Sequence, residues 1–224
     1  MALAPAADPI RIDIVSDVIC PWCFLGKRRL DLALKMVPEI PFEIVFRPFQ
    51  LDPTIPDGGV DRRERLAAKF GGIDRVRATE ERLVELGREI GVAFHWDEVR
   101  LSPNTLDAHR LIRWATEAGV GAAMADRLFE MYFSEGRDIG DAAVLVEAAG
   151  ELGLDTALVA ERLGSEIDAD SIREEVEEAQ RIGVTGVPCF ILDRRYAVMG
   201  AQEVEVLADA FKQLAEEKRI ARIG

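Results

Sequence analysis

Three cysteines, at positions 20, 23 and 189, are the side chains in this sequence best suited to chemistry. The first two belong to the motif Cys20-Pro21-Trp22-Cys23, a spacing at which two thiols can close a small disulfide ring. An odd and small number of cysteines in a chain of 224 residues argues against a structural disulfide framework. The motif therefore indicates redox chemistry, in which one thiolate attacks a disulfide and the second thiol resolves the mixed disulfide.

Two other interpretations of the cysteine pair have to be weighed. The same spacing is half of a zinc site, which needs a second such pair or two closely spaced histidines to be complete. The two histidines, His95 and His109, are far apart in the sequence, and Cys189 stands alone. Both cysteines could also be inert packing residues. The sequence favours redox chemistry over these alternatives, and we expect no bound metal.

The predicted elements around the motif give its two cysteines different roles. Alternating and then continuous apolar residues predict a buried strand from Ile10 to just before Cys20. Apolar residues at helical spacing predict a helix from Pro21 onward, where a proline is tolerated in the first turn. Cys20 would then lie at a helix N-terminus, which favours its thiolate. Cys23, one turn later, would be more buried and would act as the resolving thiol.

The remaining pattern predicts strands near both ends of the chain and helices between them. A second strand is predicted at Phe42–Phe46, followed by a turn-rich connection. Further strands are predicted at Cys189–Leu192 and Tyr196–Met199, before a final amphipathic helix. Predicted helices fill the middle, at 62–90 with a break at Gly71-Gly72, from Asn104 as N-cap to near Gly119, and at 122–134, 142–152 (with Asp141 as N-cap), 155–163 and 169–182. We expect one α/β domain built from residues 1–60 plus 183–224, with a helical insertion at 61–182.

Composition limits the classes of partner. The chain has 28 Lys and Arg against 41 Asp and Glu, a net charge of −13, which would repel nucleic acid and anionic membrane surfaces. No segment approaches the roughly 18 apolar residues of a membrane span. The first eight residues have neither a basic region nor a long apolar region, so with Met1 as the start we expect no secretory signal and a cytoplasmic protein.

A second motif, Gly183-Val-Thr-Gly-Val-Pro188, immediately precedes a predicted strand. Together with the cysteine motif and the strand–turn–strand–helix pattern that follows, it makes the chain resemble the DsbA-like branch of the thioredoxin superfamily. Five stretches are similar to the FrnE-type subfamily, at 16–30, 46–51, 102–111, 133–141 and 183–188. The resemblance implies an α/β class, a thioredoxin fold with an inserted all-helical domain.

The resemblance also implies a function, a thiol–disulfide oxidoreductase with Cys20 and Cys23 as catalytic residues. Pro188 would be cis and packed beside the cysteines, and the backbone of Val187 would pair with an extended substrate peptide. Pro21 and Trp22 would shape the rim of the substrate site. No bound cofactor is implied. The partners would be a protein or small molecule with a disulfide or dithiol, with glutathione, another thiol or a thiol reductase supplying electrons.

Related chains with another activity share this architecture. They are glutathione-dependent isomerases of the 2-hydroxychromene-2-carboxylate type and kappa-type glutathione transferases. These relatives typically keep a single serine or cysteine nucleophile at the first motif position. The second thiol, Cys23, therefore favours disulfide exchange over that alternative.

The sequence departs from the family pattern in three places. Strongly oxidising DsbA proteins have Pro-His between the cysteines, so Pro-Trp in this chain implies a weaker oxidant. The buried acid that relatives carry six residues before the first cysteine is replaced by Ile14. Asp17 is then the nearest candidate proton acceptor, with a solvated loop or helix-capping role as the alternative. Cys189 directly follows Pro188, and either faces the site or points into the sheet as a small apolar residue.

Other polar residues could contribute to the site. Asn104 and His109 could place polar groups over the cysteines from the inserted helices. An N-cap role would equally explain Asn104, and a surface or inter-helix hydrogen bond would explain His109. The basic run Lys27–Arg29 either softens the acidic surface near Cys20 or forms a solvated helix face.

Overall fold

The computed structural model describes residues 8–221, and the residues 1–7 considered for a leader lie outside this range. Nine helices and six strands occur within the described residues. In chain order they are β1 Ile10–Ser16, α1 Pro21–Lys35, β2 Phe42–Pro48, β3 Val60–Asp61, α2 Arg62–Phe70, α3 Ile73–Ile90, β4 Leu101–Ser102, α4 Leu106–Glu117, α5 Gly121–Phe133, α6 Ala142–Glu151, α7 Thr156–Leu163, α8 Ala169–Arg181, β5 Cys189–Leu192, β6 Tyr196–Met199 and α9 Val204–Ala221.

Four strands form the main sheet, in the order β2-β1-β5-β6. β1 pairs in parallel with β2, and α1 is the crossover that a parallel connection requires. On its other side β1 pairs antiparallel with β5, with Ile12 opposite Leu192 and Val15 opposite Cys189. β6 completes the sheet by pairing antiparallel with β5. The N-terminal and C-terminal parts of the chain are thus joined through β1, the strand that leads to Cys20.

The two faces of β1 are covered by different elements because successive side chains in a strand point to opposite sides. Ile12 and Ile14 pack with Phe190 and with apolar residues of α1 and α9. Val15 lies on the other face and packs with Cys189. The buried pattern of the strand, predicted from its apolar run, is confirmed.

The helices between β2 and β5 share a core with α1. Phe24 of α1 stacks on Phe129 and Phe133 of α5, with ring centroids 5.4 Å and 6.0 Å apart. Cys20 and Cys23 belong to the same buried cluster. The expected arrangement, an α/β sheet domain with an all-helical insertion, is confirmed, while its limits at residues 61 and 182 stay a prediction. Within residues 8–221, no helix is long and apolar enough to cross a membrane.

The structure corrects several predicted boundaries. β1 ends at Ser16, because the chain turns before Cys20 and the Cys20 amide donates to Asp17 O at 2.9 Å. Thr105, and not Asn104, holds the N-cap position of α4. The short antiparallel pair β3–β4 was not predicted, since strands of two residues carry no periodic pattern. The break at Gly71-Gly72 and the Asp141 N-cap are confirmed.

Candidate active site

Cys20 is the N-cap residue of α1, with an extended backbone at φ −91° and ψ 113°. Its carbonyl accepts hydrogen bonds from the amides of Cys23 at 3.0 Å and Phe24 at 3.3 Å. Pro21 takes the first helical position, where no amide hydrogen is needed. The first turn of α1 has no acidic side chain, so nothing there opposes the positive end of the helix dipole. Cys20 is therefore the motif cysteine that lies at the positive end of α1.

Cys23 lies one turn further along α1, and both motif cysteines are buried. Burial raises the pKa of the Cys23 thiol well above its usual value, contact with Cys20 raises it further, and hydrogen bonds from the Ser16 hydroxyl and the Asp17 amide lower it. All three cysteines are free thiols. The two thiols of the motif are thus adjacent and chemically unequal.

The second motif meets the cysteines at the loop before β5. The Val187–Pro188 peptide bond is cis, and Cys20 Sγ lies 3.6 Å from the Val187 carbonyl oxygen. Pro188 approaches α1 at Gly26, where a Cβ would lie only 3.0 Å from Pro188 Cγ. A glycine in the helix therefore leaves the space that the Pro188 side chain occupies.

Trp22 forms the surface beside the two thiols. Its half-buried ring packs against the core shared by α1 and the inserted helices. The guanidinium carbon of Arg82, on α3, lies 5.9 Å from the ring centroid, within range of a cation–π contact. Trp22 and Arg82 thus place an aromatic ring and a positive charge next to each other beside the cysteine motif.

Asp17 is fully buried, so the prediction that it lies in a solvated loop is wrong. Its Oδ2 accepts the Leu51 amide at 2.7 Å, and its Oδ1 lies 3.6 Å from His109 Nε2. His109 is buried too, with Nε2 3.0 Å from the Phe49 carbonyl oxygen, so the surface interpretation of this residue is also wrong. The pair ties the turn before Cys20 to the segment after β2 and to α4. Asp17 does not cap α1, because no side chain does.

Asn104 forms hydrogen bonds with the segment after β2 and with the start of α4. Its Nδ2 donates to the Ile55 carbonyl at 2.7 Å. Its Oδ1 accepts hydrogen bonds from Gln50 Nε2 and from the Leu106 amide, each at 3.0 Å. These contacts hold the turn-rich segment after β2 against the start of α4, and the structure shows no contact of Asn104 with the cysteines.

Cys189 packs away from the cysteine pair. It is buried on β5 with Val15, Phe49 and Val184, on the face of the sheet opposite Ile14. Burial raises the pKa of its thiol. Of the two interpretations of this residue, the structure agrees with the one that places it in the sheet as a small apolar side chain.

The basic run after the motif is not a solvated helix face. Lys27 is buried, and its Nζ lies 2.7 Å from Asp31 Oδ2 and 2.6 Å from Asp126 Oδ2. Arg29 is buried too, and donates to the Ala201 carbonyl at 2.7 Å. The ion pair of Lys27 with Asp126 joins α1 to α5, and the hydrogen bond of Arg29 joins α1 to the loop before α9.

Ser16, the last residue of β1, was not singled out from the sequence. It is 3 % exposed and contributes to the wall of a cavity of 210 Å³. The signal that could have found it is a hydroxyl at the end of an otherwise apolar strand, four residues before the motif. Within the described residues, no three His, Cys, Asp or Glu side chains are grouped so as to hold a metal ion.

Comparisons with known proteins agree with this geometry. The family model described as DSBA-like thioredoxin domain matches residues 11–212. A crystal structure of a probable DsbA oxidoreductase from Streptomyces coelicolor is 36% identical, with a TM-score of 0.83 over 91% of this chain and 89% of that one.

Two structures of lower identity share the fold. A 2-hydroxychromene-2-carboxylate isomerase is 16% identical, with a TM-score of 0.71 over 96% of this chain and 99% of that one. The cytosolic disulfide reductase DsbM from Pseudomonas aeruginosa, solved with GSH, is 20% identical, with a TM-score of 0.62 over 93% and 98% of the two chains. Membership of the FrnE-type subfamily stays a prediction. From its sequence match and its fold together, the chain belongs to the family of DSBA-like thioredoxin domains.

Proposed function

We propose that this protein is a thiol–disulfide oxidoreductase in which Cys20 is the nucleophile and Cys23 the resolving thiol. The observation that carries the proposal is a pair of adjacent buried thiols, in which Cys20 is the N-cap residue of α1 and burial raises the pKa of Cys23 one turn later. Disulfide exchange needs two unequal thiols, because the attacking sulfur has to be a thiolate. The resolving sulfur stays protonated until the mixed disulfide has formed.

The reaction balances without a further reactant. The Cys20 thiolate attacks one sulfur of a substrate disulfide, the substrate S–S bond breaks, and the released sulfur takes up a proton. Cys23 then loses its proton and attacks Cys20, which releases the second substrate sulfur. The substrate gains two electrons and the motif becomes the Cys20–Cys23 disulfide; oxidation of a substrate dithiol is the reverse.

The loop before β5 is the proposed site for the substrate backbone. The Val187 carbonyl lies beside the Cys20 sulfur, so a peptide that pairs with the backbone there would present its own sulfur to Cys20. Pro188 would hold this backbone in place. Pro21 and Trp22 would form the opposite rim.

Electrons reside on sulfur throughout, so the proposed cycle uses no bound cofactor. Glutathione, another small thiol or a thiol reductase would return the motif to the dithiol. The DsbM structure, described as a cytosolic disulfide reductase with GSH, supports glutathione as a co-substrate and the cytoplasm as the compartment. In a compartment held reduced, we expect the dithiol as the resting form, which favours reduction or isomerisation of disulfides.

The alternative is a glutathione-dependent isomerase or transferase, and one structure of the same fold is a 2-hydroxychromene-2-carboxylate isomerase. Such a reaction needs one nucleophile and has no use for a resolving thiol. The presence of a second thiol, Cys23, one turn from Cys20 in the same buried cluster favours disulfide exchange over this alternative.

Glutathione disulfide separates the two proposals. Reduced protein is mixed with it, quenched with acid and analysed by intact mass, for the wild type and for Cys20→Ser, Cys23→Ser and Cys189→Ser. We expect a stable glutathione adduct on Cys23→Ser, no adduct on Cys20→Ser, and an internal disulfide in the wild type and the Cys189→Ser control. A glutathione adduct that persists on the wild type while Cys23 stays free would overturn disulfide exchange and support the alternative.

A further inference from the structure

The segment between β6 and α9, residues 200–203, is hydrogen-bonded to the loop that carries Pro188. The Gly200 amide donates to the Pro188 carbonyl at 2.8 Å, which continues the β5–β6 ladder by one step beyond the pair of Cys189 and Met199. Proline has no amide hydrogen with which to return the bond, so the Gly200 amide supplies the one ladder hydrogen bond that this residue pair can form. The position of the Pro188 backbone therefore depends on the position of the segment 200–203.

Arg29 of α1 holds the same segment from the other side. The residue is 4 % exposed, and its Nη1 donates to the Ala201 carbonyl at 2.7 Å. Its Nη2 lies 2.9 Å from Glu203 Oε2, but the Glu203 side chain is 65 % exposed, so this ion pair contributes little to stability. The hydrogen bond from the buried, charged guanidinium to the Ala201 carbonyl is the stronger of the two contacts.

One face of α1 meets both the segment 200–203 and Pro188. Arg29 follows Gly26 by three residues, so the two lie on the same side of the helix. A Cβ at Gly26 would lie 3.4 Å from Ala201 Cβ and 3.0 Å from Pro188 Cγ. The helix that begins beside Cys20 thus holds this region by close packing at Gly26 and by a hydrogen bond at Arg29.

From these contacts we propose that Arg29 is a positioning residue for the backbone site of the substrate. Arg29 holds Ala201, the neighbouring Gly200 holds the Pro188 carbonyl, and the Val187 backbone is fixed as a result. The inference rests on the proposed function, in which a substrate peptide pairs with the backbone of Val187. Arg29 acts through these backbone contacts, and disulfide exchange itself stays with the two motif cysteines.

This role matters for substrates that have a peptide backbone. The Val187 carbonyl lies 3.6 Å from Cys20 Sγ, so a peptide that pairs there is placed correctly only while the loop is held in place. A small disulfide reaches Cys20 without pairing to the loop. Loss of the Arg29 contacts should therefore weaken the binding of a peptide and leave the reaction with a small disulfide unchanged.

Two substrates with the same leaving group separate binding from chemistry. One is 5,5′-dithiobis(2-nitrobenzoate), and the other is a short peptide whose single cysteine forms a mixed disulfide with 2-nitro-5-thiobenzoate. In both reactions the Cys20 thiolate attacks one sulfur, the S–S bond breaks, and a coloured thiolate leaves with the electron pair. The rate of the first release by reduced protein is measured against peptide concentration, which gives a maximal rate and a half-saturating concentration.

Arg29→Met removes the guanidinium but keeps an apolar stem in the buried position. We expect the half-saturating peptide concentration to rise about tenfold at an unchanged maximal rate, because a hydrogen bond from a charged donor is lost. The rate with the small disulfide should equal that of the wild type. Arg29→Lys keeps a cation without the planar fork, so it should give a smaller rise, and it replaces Arg29→Met if circular dichroism shows that variant unfolded.

Arg28→Met is the matched control. Arg28 is the adjacent arginine on α1 and pairs with Glu130 of α5, so we expect wild-type values with both substrates. An unchanged half-saturating concentration in the Arg29 variants, or an equal loss with the peptide and the small disulfide, would overturn the positioning role and leave the proposed function standing. A wild type whose rate does not saturate with the peptide would overturn the backbone site and the inference with it. A wild type that releases no coloured thiolate from either substrate would overturn the proposed function as well.

Discussion

At the scale of single residues, the two motif cysteines differ in their position on α1 and not in their burial. Cys20 is the N-cap residue and Cys23 lies one turn into the helix, and both belong to the core that α1 shares with the inserted helices. Cys189 is buried as well, on the other face of the sheet from Ile14. Reactivity toward an added reagent should therefore separate Cys20 from the other two thiols.

Alkylation of the reduced protein with iodoacetamide at neutral pH should modify Cys20 alone. Burial raises the pKa values of Cys23 and Cys189, so both remain neutral and react slowly at neutral pH. Peptide mass mapping after short exposure identifies the modified residue. In denaturant all three cysteines should react. Modification of Cys23 as fast as Cys20 in the folded protein would contradict the assigned roles.

At the scale of elements, the site depends on how closely the loop before β5 approaches α1. Pro188, Phe190 and Ala201 would lie 3.0, 3.3 and 3.4 Å from a Cβ at Gly26. Glycine normally weakens a helix by about 0.5–1 kcal/mol relative to alanine. Its presence in α1 is explained by the space that its neighbours occupy.

Gly26→Ala should lower the free energy of unfolding by about 1–2 kcal/mol. Overpacking costs about 1–3 kcal/mol, which exceeds the gain in helix propensity. Denaturant unfolding measures the change. Gly186→Ala is the control in the same loop, because a Cβ there meets no atom within 4 Å, and we expect a neutral or slightly stabilising effect. Equal effects of the two substitutions would show that the close contact at Gly26 does not matter.

Local pattern predicts the elements of this chain well and their mutual contacts poorly. Periodicity and capping residues predict α1, α6 and the break at Gly71-Gly72. The burial of Asp17 and Lys27 was not predicted, because their partners Leu51 and Asp126 are distant in the sequence. Whether such a polar residue is exposed depends on contacts that form only when the elements pack.

The contact between the cysteine motif and the motif that ends at Pro188 also joins residues that are distant in the sequence. It was expected only through the resemblance to a known family, since almost the whole chain separates Cys20 from Pro188.

At the scale of the whole molecule, α1 contributes buried residues to two cores. Phe24 belongs to the core of the inserted helices, where it stacks on two rings of α5, and Leu30 belongs to the core of the sheet. Because one helix is part of both cores, we expect the two parts to unfold together.

Phe24→Ala should reduce the free energy of unfolding by about 3–5 kcal/mol, as expected for removal of a buried ring. Tryptophan fluorescence and circular dichroism should still follow a single coincident transition, in this variant and in the wild type. Two separate transitions would show that the helices and the sheet are independent folding units.

The central claim is that Cys20 and Cys23 form one reversible redox pair, and a titration in glutathione redox buffers tests it most directly. Trp22 lies between the two thiols, so tryptophan fluorescence and a thiol count should follow the same change. We predict a single two-electron transition between the dithiol and the Cys20–Cys23 disulfide, absent from Cys20→Ser and Cys23→Ser and retained in Cys189→Ser. A wild type with no reversible transition, or with the same transition in either motif variant, would contradict the account.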